Sequence, residues 1–507
     1  MSPRRPSRFL ACALASMLLV EPALCTWSIV VVNTRTREVC VGTATCIEAF
    51  DIQSTVPVII PEIGAGAAQA SIDLAGLARK RIHRGLDAGL PPQRILTVLS
   101  MLGGFQTRQY GIVNMENVPV TFTGKNTSAA AGGVAGIVGD LRYAIQGNIL
   151  VDPVVWLEAE QALLNTPGDL SQKVMAAMEA ARAWGGDGRC SCTTGPPTSC
   201  GAPPPGFTKS AHCAFVGLAR VGDGRGKCNS AVGCANGKYY LSLNVSGVAS
   251  DPDPVIVLQG MYASWRQALQ GRPDQVLSQV EALADALVAD GKSSTRVDVR
   301  LVDVEGVPLK SGGMLVEVDL LSGGPAVTVP GPVIDNGDGT YSFTLSATTT
   351  PGEDLWRVRV TDTVGTVVLQ PDVSLRVDPL VPLHVGLDEL SASAGGLVPF
   401  TLNLGAAQAG APFVLLGSFS GTQPGTPFGG LNLPLNFDRL SNLTLVAQPP
   451  LVVGSPGVLD QDGWASVVFA PSPGLLQPLS GLHTDWVVAV LGLSPTVAGP
   501  VGLEVVP

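Results

Sequence analysis

The stretch Thr26-Trp27-Ser28-Ile29-Val30-Val31-Val32, continued by the polar Asn33 to Glu38 and by the apolar run Val39 to Ile47, reads as strand, turn, strand. β-Branched residues crowd both arms, and a polar segment between two such runs closes a hairpin. What precedes it sets where the hairpin begins. Arg4, Arg5 and Arg8 form a positive region, Phe9 to Val20 is apolar but too short to cross a bilayer comfortably, and Ala23-Leu24-Cys25 puts small residues at −3 and −1 of a cleavage site. Residues 1–25 are therefore expected to be a secretory signal whose removal leaves Thr26 first. A lipoprotein acylated at Cys25 is the competing reading, to which Leu24 is a poor fit.

Outward from the hairpin, Val56 to Ile60 is a further strand, and the Gly- and Ala-rich Ile63 to Ala70 suits close backbone packing. Leu74, Leu77, Ala78, Ile82 and Leu86 recur at helical steps, and Pro91 starts a second helix over Ile95 to Leu102. Tyr110 to Val113 and Val118 to Phe122 form another hairpin, and Ala144 to Leu150 another strand. Helices follow, with Asp152 and Asp169 as N-caps, then strands Phe215 to Arg220 and Tyr239 to Val245, and a helix opening at Asp253-Pro254. This order predicts an α+β fold, two sheets packed face to face with helices outside. The segment 190–234, holding six cysteines, reads as a stapled loop insertion, and Asp274 to Ala289 as a last helix.

Beyond Ser293 there is no cysteine, and alternating apolar runs such as Val297 to Val302 and Leu315 to Leu320 predict antiparallel sandwiches. The expected division is 26–292, then 293–385 and 386–507 as two all-β sandwich domains. Asp335-Asn336-Gly337-Asp338-Gly339-Thr340-Tyr341 is read as a hairpin turn of an Ig-like or filamin-like repeat, with calcium the rival.

Composition narrows the function classes. A formal net charge of −10, with no Lys/Arg run after Arg5, excludes a nucleic-acid partner. No transmembrane segment is expected after the leader. The mature chain keeps eight cysteines, Cys40, Cys46, Cys190, Cys192, Cys200, Cys213, Cys228 and Cys234, an even number that suits disulfides in an oxidising compartment. Zinc is the rival, but paired knuckle spacings are missing. No metal and no cofactor is expected, and the protein should be secreted, periplasmic or at the cell surface.

The chemistry that needs least from the rest of the chain is at the mature terminus. A first-residue threonine attacks through its hydroxyl while its own α-amine, with a pKa near about 7.7 to 8.0, takes the proton. The histidines, His83, His212, His384 and His483, sit beside no recognisable nucleophile motif.

Seven stretches in order carry a resemblance: Thr26 to Val32, Ile63-Gly64-Ala65-Gly66-Ala67-Ala68-Gln69-Ala70, Arg108-Gln109-Tyr110-Gly111-Ile112-Val113, Phe122-Thr123-Gly124, Gln146-Gly147-Asn148-Ile149-Leu150, Gly185-Gly186-Asp187-Gly188-Arg189 and Asp251-Pro252-Asp253-Pro254-Val255. Together they resemble the domain of unknown function 1028 family, placed with the Ntn hydrolases, from Thr26 to about Leu269. The resemblance implies an αββα sandwich and an amide-cleaving site. Thr26 would be nucleophile and base, Asn148 and the amides around Gly147 oxyanion donors, Asp187 and Arg189 orienting groups, and Arg108 and Gln146 contacts for a small-molecule or peptide-like substrate. Two departures stand out. Cys190 follows Arg189 where the family carries glycine, and Gly133-Val134-Ala135-Gly136 replaces its Trp-Ala-Gly. A non-catalytic binding or structural protein, with cell-surface or homo-oligomer contacts, is the alternative.

Overall fold

The computed structural model describes residues 26–507 apart from 129, 322, 323, 447, 448 and 493; the expected leader lies outside the described residues. The chain divides into two compact units, the first ending at Trp265 and the second starting at Arg266.

In the first unit, β1 (Thr26–Asn33) and β2 (Val39–Thr45) form the expected hairpin. A helical turn α1 (Ile52–Thr55) leads to β3 (Pro57–Ile60) and β4 (Gly64–Ala70), followed by α2 (Leu77–Asp87) and α3 (Pro92–Leu99). Next come β5 (Arg108–Asn114), β6 (Val120–Thr123), β7 (Gly132–Val138) and β8 (Leu141–Asn148). The order ends with α4 (Val154–Asn165), α5 (Leu170–Ala183), the turn α6 (Gly188–Ser191), β9 (Cys213–Ala219), β10 (Leu241–Ser246) and α7 (Pro254–Ala268), whose last turn passes the division at Arg266. One sheet runs β10-β9-β2-β1-β8-β7 and the other β3-β4-β5-β6.

Side-chain alternation along β1 builds the layers. Trp27, Ile29 and Val31 pack with Val155, Leu163, Val174 and Met178 of α4 and α5. Val30 and Val32 face Ala65, Ala67 and Val113 of the second sheet. That sheet's far face, through Val58, Tyr110 and Ile112, packs Ile82, Leu86, Ile95 and Leu99 of α2 and α3. The architecture is the expected αββα sandwich. Asp169 caps α5 in a reciprocal capping box with Gln172. Leu74, read as part of the helical stripe, instead precedes α2 and is 69% exposed.

Three expectations are corrected. The segment 190–234 is no single loop insertion: β9 lies inside it and pairs with β2 along its whole length, because its apolar run Cys213–Ala219 completes the core on both faces. Only six of the eight cysteines pair, as Cys46–Cys190, Cys192–Cys200 and Cys228–Cys234; Cys40 and Cys213 are free and buried. Asp274 to Ala289 is not a helix. Gln279–Ala282 pairs antiparallel with Val297–Arg300 and Ala286–Val288 parallel with Arg376–Asp378, so partners distant in sequence override a good local helix propensity.

The second unit holds two sandwiches. In the first, the sheet Gln279–Ala282, Ser294–Arg300, Thr340–Ala347, Thr328–Pro330 faces the sheet Ala286–Val288, Val373–Asp378, Gly352–Thr361, Leu315–Leu320 around Val297, Phe343, Trp356 and Val358. It therefore begins before the expected Ser293. The hairpin turn at 335–340 is as read: Asp335 accepts from Gly337 N and Asp338 from Thr340 N. The last sandwich, with Phe400, Phe469 and Trp486 at its centre, already includes Leu383–Val385, paired with Phe400–Leu402, ahead of the expected boundary at 386.

Candidate functional site at the start of the first strand

Thr26 opens the central strand of its sheet, between β2 and β8, and stands opposite Asn148 in register. Its backbone nitrogen donates to Asn148 Oδ1 at 3.2 Å. By alternation its hydroxyl faces the second sheet, where it donates to Thr45 Oγ1 at 3.4 Å. The Thr26 side chain is buried, as are Asn148 and Thr45.

Two glutamines reach across from the second sheet. Gln69 on β4 donates from Nε2 to the Thr26 carbonyl at 2.7 Å and accepts from the Ser28 hydroxyl. Gln109 on β5 donates from Nε2 to the Gly147 carbonyl at 2.7 Å and to Thr123 Oγ1 at 3.0 Å, and its Oε1 accepts from Gln69 at 3.1 Å. The pair ties the first residue of β1 and the penultimate residue of β8 to the opposite layer. Gln146 also points between the sheets, against Gly111, where a Cβ would lie 2.3 Å from Oε1; both its polar atoms are buried without a hydrogen-bond partner.

Past the strand end, Asp187 caps the turn α6. Its buried carboxylate accepts from Cys46 N at 2.8 Å, from Arg189 N at 3.0 Å and from Arg189 Nη2 at 2.8 Å. The main chain of the same loop bonds to β8's exit, Gly188 N to Ile149 O at 3.0 Å and Val151 N to Gly186 O at 3.3 Å. Ile149 itself holds φ at +50°, and Ala70, directly after Gln69, holds +76°. A left-handed β-branched residue is a steric outlier that persists only where its surroundings over-determine it.

The structure thus brings together Thr26, Asn148, Gly147, Gln146, Asp187 and Arg189. Arg108 is not gathered with them: it starts β5 with its side chain on the face of Tyr110, away from the other sheet, and donates from Nη1 to Gly103 O at 3.0 Å. Gln109, the next residue, takes the inward place. Sequence reasoning missed Gln69, Gln109, Ser28 and Thr45, although both glutamines lie inside quoted motifs; for Gln69, a glutamine within an otherwise small and apolar strand run was the available signal.

Cys46 Sγ, Cys190 Sγ and a ring nitrogen of His212 lie within 4.8 Å of one another. The two sulfurs are joined, and a disulfide lacks the thiolates a zinc site requires. His212 Nδ1 lies 3.0 Å from Lys209 Nζ, and burial, then this ammonium, push its pKa below the ordinary 6.5.

Comparison with known proteins gives two family matches, "Family of unknown function (DUF1028)" over residues 26–194 and "Invasin, domain 3" over residues 274–374. No curated protein matches. Among solved structures, SPO2555 from Silicibacter pomeroyi, of family DUF1028, is 17% identical, with 47% of this chain and 88% of that one covered and a TM-score of 0.35. Invasin, described as a bacterial integrin-binding protein, is 14% identical over 57% of this chain and 45% of its own, with a TM-score of 0.16. The Escherichia coli adhesin FdeC is 12% identical over 79% and 92%, with a TM-score of 0.20. Among the described residues no helix is long and apolar enough to cross a membrane. By these matches, residues 26–194 are similar to DUF1028, a family of unknown function, and residues 274–374 to domain 3 of invasin.

Proposed function

We propose that the first unit is an N-terminal-nucleophile amide hydrolase of an exported protein, with Thr26 as the attacking group. The observation that carries this reading is the pairing of Thr26 N with Asn148 Oδ1 and of its hydroxyl with Thr45, at the head of a central strand. Once the leader is cut after Cys25, that nitrogen is a free amine. The hydroxyl oxygen adds to the amide carbon of a small-molecule or peptide-like substrate, and its proton passes to the amine and then to the leaving nitrogen. Water hydrolyses the resulting ester. Asn148 orients the amine, and it and the amides around Gly147 are the proposed oxyanion donors. Asp187 and Arg189 hold the loop beside them, and Arg108 drops out as a substrate contact on its placement.

Disulfides support export to an oxidising compartment, hence secretion, the periplasm or the cell surface. Intact-mass and Edman analysis of the secreted chain tests the premise: a mature chain starting at any residue other than Thr26 refutes it. With Thr26 first, wild type should be labelled there by a β-lactone probe and Thr26→Ala should not; equal labelling overturns the assignment.

A second reading, a surface-binding protein that keeps the sandwich without turnover, is favoured by the match to domain 3 of invasin. It stands if Thr26 is first yet no electrophilic probe reacts with it.

A further inference from the structure

We propose that the Cys46–Cys190 disulfide is a redox-sensitive positioning element for the Thr26 site; the part of this that concerns catalysis rests on the hydrolase reading above. Of the three disulfides, two join cysteines 8 and 6 residues apart and close local loops. The third spans 144 residues. It is also the one that touches the site.

The bond completes a ring around Thr26. Cys46 directly follows Thr45, whose hydroxyl receives that of Thr26. Cys190 lies in the turn capped by Asp187, and the Asp187 carboxylate accepts from Cys46 N beside the disulfide. Gly188 N then bonds to Ile149 O, and Ile149 follows Asn148, whose Oδ1 receives Thr26 N. Four of these links are hydrogen bonds and one is covalent. The covalent link holds the left-handed Ile149 segment from one side, and a strained residue relaxes when its support is removed. Opening the disulfide should therefore move Asn148 and the 186–190 loop away from the nucleophile, while β1, buried centrally, stays.

Both cysteines are only partly buried, so a small dithiol reaches them. A thiolate of the dithiol attacks one sulfur, the S–S bond breaks, and the departing cysteine takes a proton. The reductant's second thiol then displaces the mixed disulfide. Two electrons and two protons pass to Cys46 and Cys190, and the reductant leaves as a cyclic disulfide.

The test uses the mature full chain, with Cys192→Ser/Cys200→Ser and Cys228→Ser/Cys234→Ser as controls. Hydrogen exchange is read at Cys46 and at 187–190, and β-lactone labelling at Thr26 is resolved into kinact and KI. In Cys46→Ser/Cys190→Ser, protection at those amides should fall more than about tenfold and kinact on the order of tenfold, with KI within about twofold, because alignment rather than binding is lost. Dithiothreitol should reproduce this in wild type and both controls and add nothing in the double variant. Should that variant fail to fold, brief dithiothreitol treatment of folded wild type decides. Unchanged exchange and kinact after the bond is opened overturn the proposal. Absence of labelling in oxidised wild type would instead defeat the hydrolase reading, leaving the exchange measurement to judge the positioning role alone.

Discussion

The Gln69 carboxamide, on one sheet, donates to the Thr26 carbonyl, on the other, at 2.7 Å, and takes the Ser28 hydroxyl as its own donor. A leucine at 69 would take one amide donor away from a buried carbonyl and one acceptor from the Ser28 hydroxyl. Gln69→Leu should therefore destabilise the first unit by about 1–3 kcal/mol, measured as a shift in its urea midpoint at unchanged m. A loss below about 0.5 kcal/mol would mean that the glutamine does not hold the strand end.

Loop length separates the disulfides. In the chain-entropy account, opening the bond between residues 144 apart costs about 2.5 kcal/mol more than opening the one between residues 8 apart. Thermal unfolding of Cys46→Ser/Cys190→Ser and of Cys192→Ser/Cys200→Ser should show that order, with the second unit, which has no cysteine, unmoved in both. Equal shifts would contradict it.

Glu38 and Arg220 form an ion pair at 2.8 Å with both side chains 1% exposed, and the guanidinium carbon stands 3.6 Å from the centre of the Tyr240 ring. Burial raises the Glu38 pKa despite the arginine. Removing one partner leaves the other charged in a dry interior, so Arg220→Met should cost about 3–5 kcal/mol. Arg220→Met with Glu38→Gln should recover part of that. A double variant as weak as the single would show that lost packing dominates.

Much of this was legible because it is local. The hairpin 26–47, the Asp169 N-cap and the turn at 335–340 follow from adjacent residues. The 274–289 segment failed for the opposite reason, since its strands exist only through partners near 297–300 and 376–378. At the site, Thr26 was visible as the start of a strand and Asn148 through the motif it sits in, but not that the two stand opposite each other; Arg108 was chosen by charge and Gln109 passed over, although strand parity decides which of two neighbours points inward. Cysteine pairing was not readable, and two sulfurs of the eight stay unpaired and buried: burial lifts the Cys40 thiol well above its ordinary range, and the Cys213 thiol donates to the Ile47 carbonyl at 3.1 Å.

His212 supplies a pH test of the same loop region. Its folded pKa lies below 6.5 because the ring is buried and faces Lys209; Glu48, Asp187 and Arg189 are the other charges near it. The unfolded chain then binds a proton that the folded one refuses. His212's contribution is whole above about pH 6.5 and is lost as the pH falls from there through the lower folded value, so it destabilises the folded state in acid. His212→Asn should flatten the stability of the first unit against pH below about 6.5 and leave it unchanged near pH 8, as read by urea unfolding at stepped pH. His483 in the second unit has the opposite sign: its hydrogen bond to Glu504 raises its pKa, so its small, solvent-screened contribution is present below 6.5 and fades as the pH rises through the folded value. Proton NMR of the two imidazoles should place their titrations on opposite sides of 6.5. Finding His212 above that value would mean that Glu48 and Asp187, not burial, set its charge.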